Sequence, residues 1–209
     1  MRPVQLATAI DVMTPTVDNL RLALQWLSFL LGCANLGLFS WAIRGYFRPA
    51  VDGGARLRFA VVCGIACTTF TPIAFWLWTP RSSSLAILAV PLYLGSTALF
   101  GWAAVSNRAQ RLALALTREA PTHLVTHGPY RYLRHPFYTS YLLTWLAGVL
   151  AVQHPTMVVP LIAMGTIYRI AANDEEQRFL DDPRFAADYR RLMASTGRFL
   201  PKFVAGARP

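Results

Sequence analysis

"LALQWLSFLLGCANLGLFSWA", residues 22–42, contains no charged side chain. A run of roughly 20 mostly apolar residues is the length a helix needs to cross the hydrocarbon core of a bilayer. Two further runs meet the same criterion, Phe59 to Trp78 and Leu85 to Val105. A composition 55% hydrophobic and only 14% charged agrees with a small membrane bundle rather than an ordinary soluble domain.

Beyond these runs, Phe137 to Val152 and Pro155 to Tyr168 are apolar and separated by Gln153 and His154. Pro155 suits the first turn of a helix, so the pair reads as a helical hairpin. At about 1.5 Å per residue both arms fall short of the roughly 30 Å hydrocarbon thickness unless flanking residues extend them. Arg169 can snorkel, which lets the last helix run on into Ala171 and Ala172. The expectation is an all-α integral membrane protein of about five transmembrane helices, forming one membrane domain over residues 1–209. Residues 1–105 carry the first three spans, and 106–209 carry a polar loop, the hairpin and a C-terminal helix. Met1 to Leu20 includes Asp11, Asp18 and two prolines, so it does not read as a cleaved signal peptide, and the first span serves as the insertion signal.

Five spans would divide the basic residues sharply. Seventeen of the 20 Lys and Arg residues fall in the first loop, the third loop and the C-terminal segment, leaving Arg2, Arg21 and Arg81 on the other side. The positive-inside rule then puts the N-terminus outside and the C-terminus in the cytoplasm. Nearly all these residues are Arg, which hints at a GC-rich bacterial genome and an inner-membrane location. The net charge of +10 is explained by topology and anionic lipid headgroups, and no basic soluble domain points to nucleic acid. Cys33, Cys63 and Cys67 all fall in spans. Two thiols at i, i+4 make a poor metal site, so they read as small buried apolar residues and no metal is expected.

Between the third span and the hairpin, "SNRAQRLALALTREAPTHLVTHGPYRYLRHPFY" is too polar to span and too aromatic for a disordered linker. Arg108 to Glu119 reads as a helix that Pro121 ends. A Gly-Pro turn signal follows, and Pro136 fits the first turn of the next helix. Arg134 and His135 would then stand at that helix's N-terminal mouth, which favours an anionic ligand group. Inside-positive anchoring explains the arginines one by one, but anchoring needs no histidine, no Gly-Pro turn and no fixed spacing.

After the hairpin comes "YRIAANDEEQRFLDDPRFAADYRRL". Asn173 and Glu176 match a capping box, with Asp174 and Glu175 in a first turn. Three successive carboxylates beside an anionic leaflet also call for a cationic partner, either the arginines of the preceding loop or a ligand. Phe185 and Tyr189, with Arg190 and Arg191 beside them, read as an amphipathic surface helix that ends at Gly197 and covers the site.

"LVTHGPYRYLRHPFY", an apolar hairpin, "DEEQRFL", "FAADYRRL" and "RFLP" together resemble the C-terminal half of the isoprenylcysteine carboxyl methyltransferase and phospholipid methyltransferase superfamily of integral membrane enzymes. The resemblance covers about His123 to Phe203, two fifths of the chain. It implies cytosolic loops and last helices that enclose S-adenosylmethionine, with contacts at His123, Leu124, Val125, Tyr130, Arg134, His135, Pro136, Phe137, Tyr138 and Glu175. Arg169 and Glu176 are the implied catalytic candidates, because the prenylcysteine enzymes carry an arginine one turn before the acidic pair. This chain has Ala171 or Ala172 there, and Arg169 is the nearest substitute. A second departure is Ser140, where relatives usually have glycine, a small change compatible with close helix packing. The implied partners are membrane lipids and a lipophilic or small-molecule acceptor: a carboxylate, a thiol or an amine.

Two other readings compete. Sterol reductases that use NADPH carry a similar "RHPxY" hairpin and acidic pair, although no Rossmann glycine fingerprint occurs here. A non-catalytic lipid-binding membrane protein could retain the same scaffold.

Overall fold

The computed structural model describes residues 4–48, 55–78, 85–107, 112–113 and 123–202. Its helices are α1 (Val4–Tyr46), α2 (Ala55–Trp78), α3 (Ala86–Ser106), α4 (Pro136–Val152), α5 (Val158–Asp181) and α6 (Ala186–Ser195). A 3-10 turn at Gly128–Arg131 leads towards α4, and another at Pro155–Met157 leads into α5. A two-residue parallel pair joins β1 (Phe47–Arg48) to β2 (Leu112–Ala113), tying the loop after α1 to the loop after α3. That pairing interrupts the helix expected over Arg108 to Glu119, since extended ladder geometry and helical dihedrals exclude each other. The rest of that stretch lies outside the described residues.

Among the described residues, three helical stretches are long and apolar enough to cross a membrane: Val17–Ala42, Ala86–Ser106 and Pro155–Asp181. The apolar parts of α2 (Val62–Phe75) and α4 (Pro136–Val152) are shorter. Helix α2 covers the whole run Phe59 to Trp78, and the second arm of the hairpin is longer than it reads. The arm gains because α5 does not stop near Tyr168. It continues through Arg169 to Asp181, 24 residues in all, or roughly 36 Å.

This continuity also corrects the capping-box reading. Asn173 to Glu176 lie in mid-helix, where the backbone amides already have intrahelical acceptors. Extending an established helix costs far less than nucleating a new one, and the Glu176 side chain is used in tertiary ion pairs instead. The start of α4 at Pro136 and the 3-10 turn at Pro155 follow the sequence expectation.

Central in the bundle is α3, packed most extensively against α4 and next against α1. Buried polar side chains clip these helices together. Asn35 Nδ2 donates to the Tyr93 carbonyl at 3.2 Å and its Oδ1 accepts from Thr97 Oγ1 at 2.8 Å. Ser96 Oγ donates to the Ser140 carbonyl at 2.6 Å. Ser140 is fully buried, so its small side chain does preserve the close α3–α4 approach. Leu30, Trp41, Phe59, Leu77, Ile87, Val159 and Ile162 are exposed, as expected of lipid-facing positions. The thiols depart from expectation: Cys33 is exposed and Cys63 and Cys67 are half-buried. Among the described residues there is no group of three or more metal-ligating side chains.

Candidate active site

The polar segment acquires its shape from two glycines. Gly128 has φ +61, so the dihedral demands glycine, and a Cβ there would lie 2.1 Å from Ser106 Oγ, a side-chain atom that can rotate away. It opens the 3-10 turn that buries Pro129 and Tyr130. Gly197 approaches the Leu200 carbonyl so closely that a Cβ would sit 1.7 Å from its oxygen. This tight tail zips onto the motif. Gly197 N donates to the Tyr132 carbonyl at 3.1 Å, Arg134 N to the Gly197 carbonyl at 2.8 Å, and His135 N to the Arg198 carbonyl at 3.2 Å.

Glu175 and Glu176 point apart, as neighbours on a helix must, and their surroundings differ. The Glu176 side chain is 4% exposed. Its Oε1 accepts from Arg134 Nε at 2.9 Å and Arg198 Nε at 3.1 Å, and lies 3.1 Å from His135 Nε2; its Oε2 accepts from Arg198 Nη2. Arg134 Nη1 continues to the Thr196 carbonyl at 2.6 Å, and Arg198 Nη1 to Asn173 Oδ1 at 2.6 Å. The carboxylate thus binds the motif loop, α5 and the C-terminal tail into one charged knot. Glu175 is 41% exposed, lies 3.7 Å from His135 Nδ1, and accepts from Tyr138 Oη at 3.4 Å. His135 therefore stands between the two acids.

Above this knot lies a cavity of about 350 Å³, within the roughly 300–1,000 Å³ usual for small-molecule sites. Every position expected to contact the cofactor lines it: His123, Leu124, Val125, Tyr130, Arg134, His135, Pro136, Phe137, Tyr138 and Glu175. Glu176 lies behind the wall and Arg169 is exposed on α5, both outside the cavity lining. Ala171 lines the cavity and Ala172 is buried beside it.

The walls divide by chemistry. Near the motif they carry Glu175, His135, Asn107 and the hydroxyls of Tyr130 and Tyr138. Towards α1 and α2 they carry Leu36, Phe39, Gly64 and Ile65, joined by Met164 and Ile167 of α5. Aromatic rings connect the two ends. Tyr138 stacks between His135 and Tyr168, with centroids 5.4 and 5.5 Å away. Tyr189 of α6 stacks on Phe179 at 4.8 Å, so the surface helix does cover the cavity. Burial pushes the Tyr130 phenol up, an effect reinforced by the Glu175 charge and opposed by the bond from Asn107, so its hydroxyl stays protonated.

Residues 87–183 match the model of the phospholipid methyltransferase family. This segment is similar to that family, in line with the resemblance carried by the motifs. It runs from the start of α3 to just past α5, and so includes both the Arg134–Tyr138 motif and the acidic pair. No curated protein matches the chain.

Sequence reasoning missed Asn107, Tyr168 and Arg198. Tyr168 was hidden in an apolar run that read only as a span, and Asn107 stood at the start of the polar segment, outside the motifs. Arg198 was visible within "RFLP", but nothing local signals an ion pair with a carboxylate 22 positions earlier.

Proposed function

We propose that the chain is a membrane-embedded methyltransferase that uses S-adenosylmethionine and transfers its methyl group to a lipophilic acceptor. The carrying observation is that ten motif positions, spread from His123 to Glu175, line one cavity whose acidic, aromatic end continues into an apolar end between the helices. The family match supports the reaction class.

The residues present suit the cofactor. Glu175 has a partly exposed carboxylate free to balance an ammonium or sulfonium. The stacked rings of His135, Tyr138 and Tyr168 offer π faces to a cation or a flat base. The first-turn amides of α4 favour a carboxylate, because early helical N–H groups lack intrahelical acceptors and carry the positive end of the dipole. When bound, S-adenosylmethionine supplies a methyl group on a cationic sulfur for in-line transfer. The protein's work is then alignment and exclusion of water. Glu176, through its bonds to His135, Arg134 and Arg198, holds the floor rigid, and Tyr189 and Phe179 cover it.

The apolar walls favour an acceptor that arrives sideways from the inner leaflet. Ala171 and Ala172 stand where the prenylcysteine enzymes carry an arginine, and Arg134 is committed to Glu176 and the Thr196 carbonyl. A carboxylate acceptor would find no free cation in the apolar part of the lining, so a lipophilic amine or thiol fits better. In this reading residues 1–209 form one domain with five crossings. In it α2 and the shorter α4 cross packed among α1, α3 and α5, and the motif loops face the cytoplasm.

The test is isothermal titration of detergent-solubilised protein with S-adenosylhomocysteine and, separately, NADPH, repeated on Glu175→Ala and His135→Ala. Binding of S-adenosylhomocysteine that both variants lose is the expected outcome. Binding of NADPH alone moves the assignment to a reductase, and binding of neither removes the enzymatic reading.

A further inference from the structure

One buried group of the cavity has no role in the reading above. Asn107, immediately after α3, is 6% exposed and lines the cavity. Its Nδ2 donates to the Ala103 carbonyl at 2.8 Å and to Tyr130 Oη at 2.8 Å. Chemistry fixes the orientation of this amide: a carbonyl oxygen only accepts, so the nitrogen must face Ala103. That leaves Asn107 Oδ1 buried without a hydrogen-bond partner among the described residues. Tyr130 Oη, having accepted the bond from Asn107, retains its own proton to donate. An unmatched acceptor therefore lies next to an available donor on the wall of the cavity.

A buried acceptor is normally matched in the functioning molecule, by protein, water or ligand. The methyl donor proposed above offers the complement. Adenine carries an exocyclic N–H beside a ring-nitrogen acceptor. Hypoxanthine keeps the purine shape but puts a carbonyl oxygen where the amine was, which would set acceptor against acceptor.

We propose that Asn107 and Tyr130 read the base of the cofactor: Asn107 Oδ1 accepts from the exocyclic amine of adenine, and the Tyr130 hydroxyl donates to the neighbouring ring nitrogen. This rests on the S-adenosylmethionine reading and extends it, making Asn107 a specificity residue for the nucleoside. Its role is not marked in sequence, since Asn107 lies at the start of the polar segment, outside both motifs.

The experiment titrates full-length detergent-solubilised wild type, Asn107→Leu and Tyr130→Phe with S-adenosylhomocysteine and with S-inosylhomocysteine. Wild type should prefer the adenosyl compound by at least tenfold. Asn107→Leu should weaken adenosyl binding by about tenfold to hundredfold while leaving inosyl binding nearly unchanged, so the preference collapses. Tyr130→Phe should reduce the same preference. Equal binding of the two compounds by wild type overturns the proposal and leaves the methyl-donor reading standing, as does a preference that survives in Asn107→Leu. Equal loss of both compounds in Asn107→Leu also overturns it, because the residue then supports only the fold. Failure of wild type to bind either compound overturns the methyl-donor reading itself.

Discussion

Glu175 and Glu176 are adjacent in sequence but differ in their surroundings, and one pair of substitutions can separate the roles proposed for them. Glu176→Gln removes the charge while keeping the shape. It leaves Arg134, whose side chain is 9% exposed, as a buried cation facing a neutral amide, while Arg198, 30% exposed, is partly compensated by solvent. Removing one partner of a buried ion pair costs about 3–5 kcal/mol. The exposure of Arg198 argues for the lower end, about 3 kcal/mol. For a chain of this length that corresponds to a fall in unfolding midpoint of about 6–12 °C. Glu175→Gln disturbs only a 3.4 Å bond from Tyr138 and a 3.7 Å approach to His135. Its stability cost should stay below about 1 kcal/mol, while S-adenosylhomocysteine binding should weaken by about tenfold or more, as expected when a charged hydrogen-bond acceptor is lost.

The assay is thermal unfolding of both variants in the same detergent, followed by calorimetric titration well below each midpoint. Equal destabilisation by the two substitutions would refute the division of labour. So would a Glu176→Gln protein with an unshifted midpoint, because it would mean that the charged knot contributes nothing net.

Three further outcomes follow from local geometry. Gln153, which caps α4 with φ 54 and buries an Nε2 that has no partner among the described residues, should become more favourable by about 1 kcal/mol as Gln153→Gly, visible as a higher midpoint. Asn35→Leu removes the bonds to the Tyr93 carbonyl and Thr97 inside the bundle and should lower stability by about 0.6–1.7 kcal/mol, read from the same unfolding curves. Gly197→Ala cannot keep its 1.7 Å approach to the Leu200 carbonyl. It should release the tail, cost about 3 kcal/mol, and weaken S-adenosylhomocysteine binding more than Gly128→Ala, whose clash is with a movable serine side chain.

The parts of this protein that were legible in its sequence are those where one residue type answers one local demand. Gly128 meets a positive dihedral, Pro136 opens a helix where its missing N–H costs little, and the uncharged runs fix the membrane setting. One signal pointed both ways. Asn173 and Glu176 have the spacing of a capping box, yet the same i, i+3 spacing puts them on one face of a continuous helix, where both meet Arg198. The choice between these outcomes depends on whether a helix already arrives from Val158, which no four-residue pattern records. What could not be read was pairing at a distance: Glu176 with Arg198, Asn107 with Tyr130, and the meeting of α1 and α2 with α5 around the apolar end of the cavity. The acceptor's identity belongs to this last class. The motif residues form the end of the cavity suited to a nucleoside, while the far end is built by Phe39, Gly64, Ile65 and Met164, residues that in sequence are indistinguishable from lipid-facing filler. If the proposed reaction holds, specificity for the acceptor lies in the spans, and exchanging those four residues should change which lipophilic molecule is methylated while leaving affinity for S-adenosylhomocysteine intact.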